Sequence, residues 1–371
     1  MLVDQISMLN KVSSRLIFAA LAFALARGRL AAEVTYEKLQ RKGPATVHVV
    51  QAPLRSPTVE LRTMHAFGKP LGLAPVSSQA ALVTNAVVLA AINADYYERA
   101  GDFAGDVRGV QIMNGSLISN PGGNVTFWID PRGQPQVAVV ESRIQLMLSD
   151  GRKLPLTVNE FRGDDEATIY SPTVSRDVVP ATGRSYFLEF NEPSSQVLAT
   201  GQAYTAKVHA ASGNDAAGML LSIGPAINLP ALSNGAELRI ITATQPSLRG
   251  VREAISGGPL LVIDGKAQKF SANESDAYNL STMIERHPRS AVGWNNTHLF
   301  LVAVDGRQKN GSVGMTLDEL SAFLVELGCT AAMNLDGGGS STLWHEGKVK
   351  NFLADGYERD VANSLLIVKT R

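Results

Sequence analysis

Residues 334–342 read Asn-Leu-Asp-Gly-Gly-Gly-Ser-Ser-Thr. Three consecutive glycines follow an acid and precede two hydroxyls. A glycine costs roughly 0.5–1 kcal/mol relative to alanine inside regular structure, so three in a row imply a constraint other than stability. Backbone that must approach a ligand closely is such a constraint, with its N–H groups turned inward as an anion-binding nest. On that reading Gly337, Gly338, Gly339, Ser340 and Ser341 hold a phosphate or another oxyanion, and Asp336 is the acid/base or orienting group beside it. A plain turn is the bland alternative, but it needs only one or two glycines. The run is not a Walker loop, because no Gly-Lys-Ser/Thr follows. It is not a nucleophile elbow, because Gly-x-Ser-x-Gly is absent.

Other residues could share this chemistry. Ser256, Gly257 and Gly258 precede Pro259 and would complete an oxyanion cradle. Arg286 and Arg289 flank His287-Pro288, and a guanidinium fork suits bidentate phosphate recognition. His287, beside a proline, reads as a loop residue. Asp305, in Asp-Gly-Arg307, and Asp95, in Asn93-Ala-Asp-Tyr-Tyr97, are further carboxylates. Glycoside hydrolysis uses two carboxyl groups roughly 5–9.5 Å apart, and the residues alone do not rank Asp336, Asp305 and Asp95. No His-Glu-x-x-His or Cys-x-x-Cys spacing occurs. No cofactor is therefore expected, with a divalent cation on the three aspartates left open. The single cysteine, Cys329, follows an apolar helical pattern and Gly328 and reads as a buried thiol.

These residues need elements to carry them. The apolar run 87–92 predicts a strand that ends at Asn93, and 259–263 a strand that turns at Asp264-Gly265. A buried strand over 298–304 ends at Asp305. Thr316-x-x-Glu319 is a capping box, and Leu317, Leu320, Phe323, Leu324 and Leu327 follow at helical spacing up to Gly328. A strand over 330–335 then ends at Asp336. If the strands flanking this helix are parallel, Asp305 and Asp336 stand at one sheet edge, where open α/β sheets place ligands. Between 141 and 250 short β-like runs alternate with turn signals, which predicts an all-β insertion. The expected fold class is α+β: a mixed sheet core with packed helices and a C-terminal strand–helix–strand unit, plus that insertion. The expected division is 1–32 as signal peptide or N-terminal anchor, 33–140 as the first part of the catalytic domain, 141–250 as the β-rich section, and 251–371 as the C-terminal core.

The chain has 371 residues, with Lys plus Arg and Asp plus Glu at 34 each. Zero net charge argues against a nucleic-acid binder dominated by phosphate contacts. Lys11 and Arg15 precede the apolar run 16–26, with Ala31 and Ala32 beyond it. That is a secretory pattern, and the run is shorter than the roughly 20 residues of a membrane-spanning helix. The expectation is export, to the periplasm or the outside, with no membrane span apart from a retained N-terminal anchor.

As a set, the motifs resemble the phosphodiester glycosidase family. They come in the family's order: Asn93-Ala-Asp-Tyr-Tyr97, Arg162-Gly163, Tyr170-Ser-Pro172, Ser256-Gly-Gly-Pro259, Asp264-Gly265, Arg286-x-Pro-Arg289, Val304-Asp-Gly-Arg307, Gly314-Met-Thr-Leu317, Asn334 to Ser341, and Arg359-x-Val-Ala-Asn363. Asp95 stands where the familiar motif has glycine, and Ser171 replaces threonine. The resemblance spans roughly residues 85–370 and implies hydrolysis of a glycosidic bond to a phosphodiester, releasing the sugar and leaving a phosphomonoester. It adds Asn93, Thr316, Asn334, Arg359 and Asn363 to the substrate-binding candidates. Two rival readings stand beside it: a non-catalytic exported protein that binds phosphorylated polysaccharide, and a metal-assisted phosphodiesterase with Asp305, Asp336 and Asp95 as ligands.

Overall fold

In the strand His298–Val304 the apolar side chains alternate between two cores. Phe300, Val302 and Val304 enter one, and Leu299, Leu301 and Ala303 the other. An alternating strand with both faces buried reads in sequence as an unbroken apolar run. The computed structural model describes residues 34–191, 197–210, 218–271 and 280–370, so the expected signal segment lies outside the described residues.

This strand belongs to a seven-stranded sheet in the order Thr35–Arg41, Ala45–Pro53, His298–Val304, Arg289–Trp294, Ala331–Asn334, Leu260–Ile263, Lys266–Ala267. Every pairing in it is antiparallel. His298–Val304 and Ala331–Asn334 are not neighbours, because Arg289–Trp294 runs antiparallel between them. They therefore point the same way. Arg289 pairs with Val304 and Ala291 with Asn334, so the ends leading to Asp305 and Asp336 and the start at Arg289 share one edge.

The fold class departs from the sequence expectation. The chain is mostly β, 44% strand and 9% helical, with three α-helices among the described residues: Val76–Ala81, Leu280–Ile284 and Leu317–Glu326. It is not an α+β fold with packed helices. Continuous apolar strands usually signal parallel sheets with helices on both faces. Here one antiparallel sheet is covered by Leu317–Glu326 on one face and by other sheets on its opposite face.

Those other sheets have five strands each. One is ordered Lys348–Val349, Leu343–His345, Ala86–Asn93, Asn363–Thr370, Val59–His65, so the strand ending at Asn93 lies outside the seven-stranded sheet. The other contains Ala254–Gly257 paired with Val125–Ile129, and brings in Ser256. Phe127 from this sheet meets Trp294 from the first with ring centroids 5.1 Å apart. An eight-stranded, nearly closed sheet lies wholly between Glu141 and Gln245 and encloses its own core around Leu146, Ile169, Leu221 and Ile240.

The helix Leu317–Glu326 starts at the capping box read from the sequence. The Thr316 hydroxyl accepts from the Glu319 N–H, and the Glu319 carboxylate accepts from the Thr316 N–H. This is a structural use of Thr316. Replacing an N-cap threonine by alanine typically costs about 1 kcal/mol. The expected outcome for Thr316→Ala is that loss in chemical denaturation with catalytic parameters unchanged; a raised KM at undiminished stability would return Thr316 to the substrate.

Candidate active site

Asn93, Asn334 and Asn363, all essentially buried, frame the shared edge. Asn93 Nδ2 donates to the Asp336 carbonyl (2.7 Å), while its Oδ1 accepts from Ser290 Oγ (2.7 Å) and the Thr342 N–H (3.0 Å). Asn334 Nδ2 reaches Tyr96 Oη (2.9 Å) and the Gly258 carbonyl (3.1 Å). Asn363 binds Asp95 twice, its Oδ1 accepting from the Asp95 N–H and its Nδ2 donating to Asp95 Oδ2, each at 2.9 Å. These asparagines, expected to touch substrate, are engaged with the protein.

The frame surrounds a pocket of about 320 Å³ lined by Tyr96, Arg99, Thr282, His287, Arg289, Arg307, Asp336, Gly337 and Gly338. Asp336 keeps part of its surface open to this space, but its carboxyl is hemmed in by protein. Desolvation raises its pKa to about 6; the Ser340 hydroxyl, the Gly337 N–H and the guanidinium groups of Arg359 and Arg99 limit the rise. Asp95 lies behind the pocket wall at 2% exposure. Burial drives its pKa well up, against the Asn363 and Ser256 contacts, and the nearby charge of Asp336 adds to the rise. The two carboxyls are close enough for the charge of Asp336 to disfavour ionisation of Asp95.

Arg289 is the second informative side chain. It is 2% exposed, and Nε and Nη2 donate to the carbonyls of Met315 (2.9 Å) and Glu285 (2.7 Å). No acidic residue pairs with it among the described residues. Burial lowers its pKa to about 10, so it stays charged at neutral pH. Buried charges are ordinarily paired. A guanidinium that faces a pocket without a salt bridge can take an anion there.

Other candidates stand elsewhere. Asp305 is on the same edge, and its loop shares a neighbour with the glycine run: ideal Cβ atoms at Gly306 and Gly337 would both fall under 3 Å from Pro288 backbone. Its carboxylate does not line the pocket. Asp305 Oδ1 accepts from the Phe352 N–H (2.7 Å) and lies 3.1 Å from His48 Nε2. Arg286 pairs with Glu319 and donates to Gly314 O (3.1 Å). Arg359 is held by Asp355 through Nε (2.9 Å) and Nη2 (2.5 Å), and its Nη1 donates to Ser340 Oγ (3.3 Å).

The glycine run also differs from a nest. The Gly337 N–H donates to Asp336 Oδ1, the Gly338 N–H to Pro288 O, the Ser340 N–H to Gly337 O and the Ser341 N–H to Gly338 O. Four of the five N–H groups are spent inside the protein. Gly339 is glycine because a Cβ there would lie 2.0 Å from Arg359 Nη2. In the second loop Ser256 Oγ donates to Val110 O (3.0 Å), and the Gly258 N–H donates to Asn334 O (2.7 Å). Gly257 packs against the Asn334 carbonyl. Side chains, not backbone amides, supply the positive lining.

Arg99, Arg307, Tyr96 and His287 were not singled out from sequence as binding residues, and each comes from a different loop position. Arg307 adjoins Asp305-Gly306, which is the one sequence signal that pointed near it. Among the described residues no group of three or more His, Cys, Asp or Glu stands at metal-ligating separation.

In comparisons with known proteins, a family profile described as phosphodiester glycosidase matches residues 176–368. The SPbeta prophage-derived uncharacterized protein YomE of Bacillus subtilis (strain 168) is 35% identical over 120 residues, 32% of this chain and 18% of YomE. A hypothetical protein from Synechocystis shares the fold with a TM-score of 0.70 at 21% identity, over 91% of this chain and 61% of its own. A candidate exported protein from Burkholderia pseudomallei K96243 does so with a TM-score of 0.62 at 23% identity, over 87% of this chain and 74% of its own. This chain thus spans well under two thirds of YomE and somewhat under two thirds of the Synechocystis protein. The profile match takes in more than half of the chain, and this protein belongs to the phosphodiester glycosidase family.

Proposed function

We propose that this protein hydrolyses the bond between a sugar's anomeric carbon and the phosphate oxygen of a sugar-1-phosphodiester. One observation carries the reading: Arg289, buried, charged and without an acidic partner, shares a pocket with a carboxyl raised to about 6. The guanidinium matches the phosphodiester anion, and a pKa near 6 suits a general base at neutral pH.

Arg289 holds the phosphate against the pocket wall. Ionised Asp336 takes a proton from water as the water oxygen bonds to the anomeric carbon. The carbon–oxygen bond to phosphate breaks, and its electron pair stays on the leaving phosphomonoester, whose added charge Arg289 meets. Phosphate is a good leaving group, so the step needs no second carboxyl in the pocket. Asp95 is a positioning residue: burial disfavours its charged form, which limits a second negative charge beside Asp336. Asp305 has a structural part, tying its loop to Phe352. We also propose that the protein is exported, on the strength of the N-terminal pattern at 11–32. Among the described residues no helix is long and apolar enough to cross a membrane.

Three outcomes are expected. On an artificial sugar-1-phosphodiester, Asp336→Asn should lower kcat by about 10²–10⁴-fold, Arg289→Gln should both raise KM and lower kcat, and a chelator should leave turnover intact. Full activity in Asp336→Asn would remove the assigned base, and loss of turnover with chelator would point to metal-assisted chemistry. The working form of Asp336 is the carboxylate, so wild-type kcat/KM should fall as pH drops through about 6. Stability should move the other way. A carboxyl whose folded pKa is raised binds protons that the unfolded chain has released, so it favours folding at low pH and loses that contribution as pH rises through about 6. Asn mimics the protonated acid: Asp336→Asn should raise Tm at pH 8 and leave it nearly unchanged at pH 4. A lower Tm at pH 8 would contradict this sign.

A further inference from the structure

The pocket carries more positive charge than one phosphodiester can meet. Arg99, Arg289 and Arg307 line it, and none has an acidic partner among the described residues. The neighbouring Arg359 is matched by Asp355. Asp336 is the one carboxyl on the lining. With Asp336 ionised, the three arginines leave two positive charges, and a diester anion cancels only one.

These charges stand at different depths. Arg289 is buried at the wall, whereas Arg99 and Arg307 are exposed. Arg307 is also specifically placed. It occupies the left-handed region (φ 59), unusual for a residue with a side chain. Its Nη2 lies 3.2 Å from His287 Nδ1. A guanidinium can only donate, so His287 Nδ1 must be the acceptor, which fixes the proton of a neutral ring on Nε2. Gly338 is also left-handed (φ 63), and a Cβ there would lie 3.0 Å from Arg307 Nη2. The backbone is thus bent at two positions where Arg307 lies over the glycine run. Its positive charge there opposes that of Arg289. Like charges held together in one pocket are relieved by an anion that spans them.

We infer that the substrate carries a second anionic group, phosphate or carboxylate, on the solvent side of the scissile diester, and that Arg99 and Arg307 recognise it. The inference rests on the phosphodiester reading above. It names the substrate class as a chain with repeated negative charges rather than a diester with a neutral tail. Arg289 takes the scissile phosphate, and the rim arginines set the preference.

The test compares kcat/KM for two synthetic diesters of one sugar, with glycerol or glycerol phosphate as the aglycone. Calorimetry with inorganic pyrophosphate and inorganic phosphate runs beside it. Wild type should favour the glycerol phosphate compound by about 10–100-fold, as expected for one or two charge-assisted hydrogen bonds. The margin should shrink with added salt. Arg307→Gln and Arg99→Gln should each reduce the ratio, and Arg307→Lys should recover part of it. Equal kcat/KM in wild type, or variants that leave the ratio intact, would overturn the inference while the hydrolase reading stands. If neither diester is cleaved, that reading fails and binding decides. Pyrophosphate held at least tenfold tighter than phosphate, with the margin lost in Arg307→Gln, upholds the second anion subsite; equal binding overturns it.

Discussion

The arrangement depends on one buried amide. Asn93 ends a strand of a five-stranded sheet, yet its side chain bonds Ser290 of the seven-stranded sheet, the Asp336 carbonyl and the Thr342 N–H. Two sheets and both sides of the glycine run are thereby pinned at one point. The Asp336 N–H completes the joint by donating to the Ala94 carbonyl (2.9 Å). A buried donor or acceptor left without its partner costs about 1–3 kcal/mol. Any shift of Asp336 away from the Ala94 side would strand several such groups at once, so the position of the carboxyl is over-determined.

That rigidity allows the site to keep charges that water would otherwise solvate better. Arg289 is anchored by two backbone carbonyls, which orient the guanidinium without cancelling its charge. Asp336 is held by its own loop's N–H, and Asp95 by Asn363. The folded chain bears the desolvation cost in advance, which is the condition under which fixed charges stabilise charge developing in a reaction.

Much of the local structure was legible. The capping box at Thr316, the turn at Asp264-Gly265 and the strand ends at Asn93, Asp305 and Asp336 follow from patterns a few residues long. The fold class was not, because an apolar run reports that both faces of a strand are buried but not what buries them. The glycine run shows the same limit. Its composition indicates close approach, but what approaches Gly339 is the chain's own Arg359 and Asp355 rather than a ligand.

The sequence by itself offered a set of candidate residues that included Asp336 and Arg289, and family membership was already visible in motifs spread from Asn93 to Asn363. It raised the shared edge of Asp305 and Asp336 only as a condition on strand direction, and the strand Arg289–Trp294, paired between their strands in the structure, meets that condition. Only the tertiary structure gives those aspartates different surroundings. Asp305 turns to Phe352 and His48, while Asp336 lines one pocket with Arg289, Arg99 and Arg307. Side-chain direction, burial and the sum of neighbouring charges arise from contacts between segments far apart in the chain, and no local pattern encodes them.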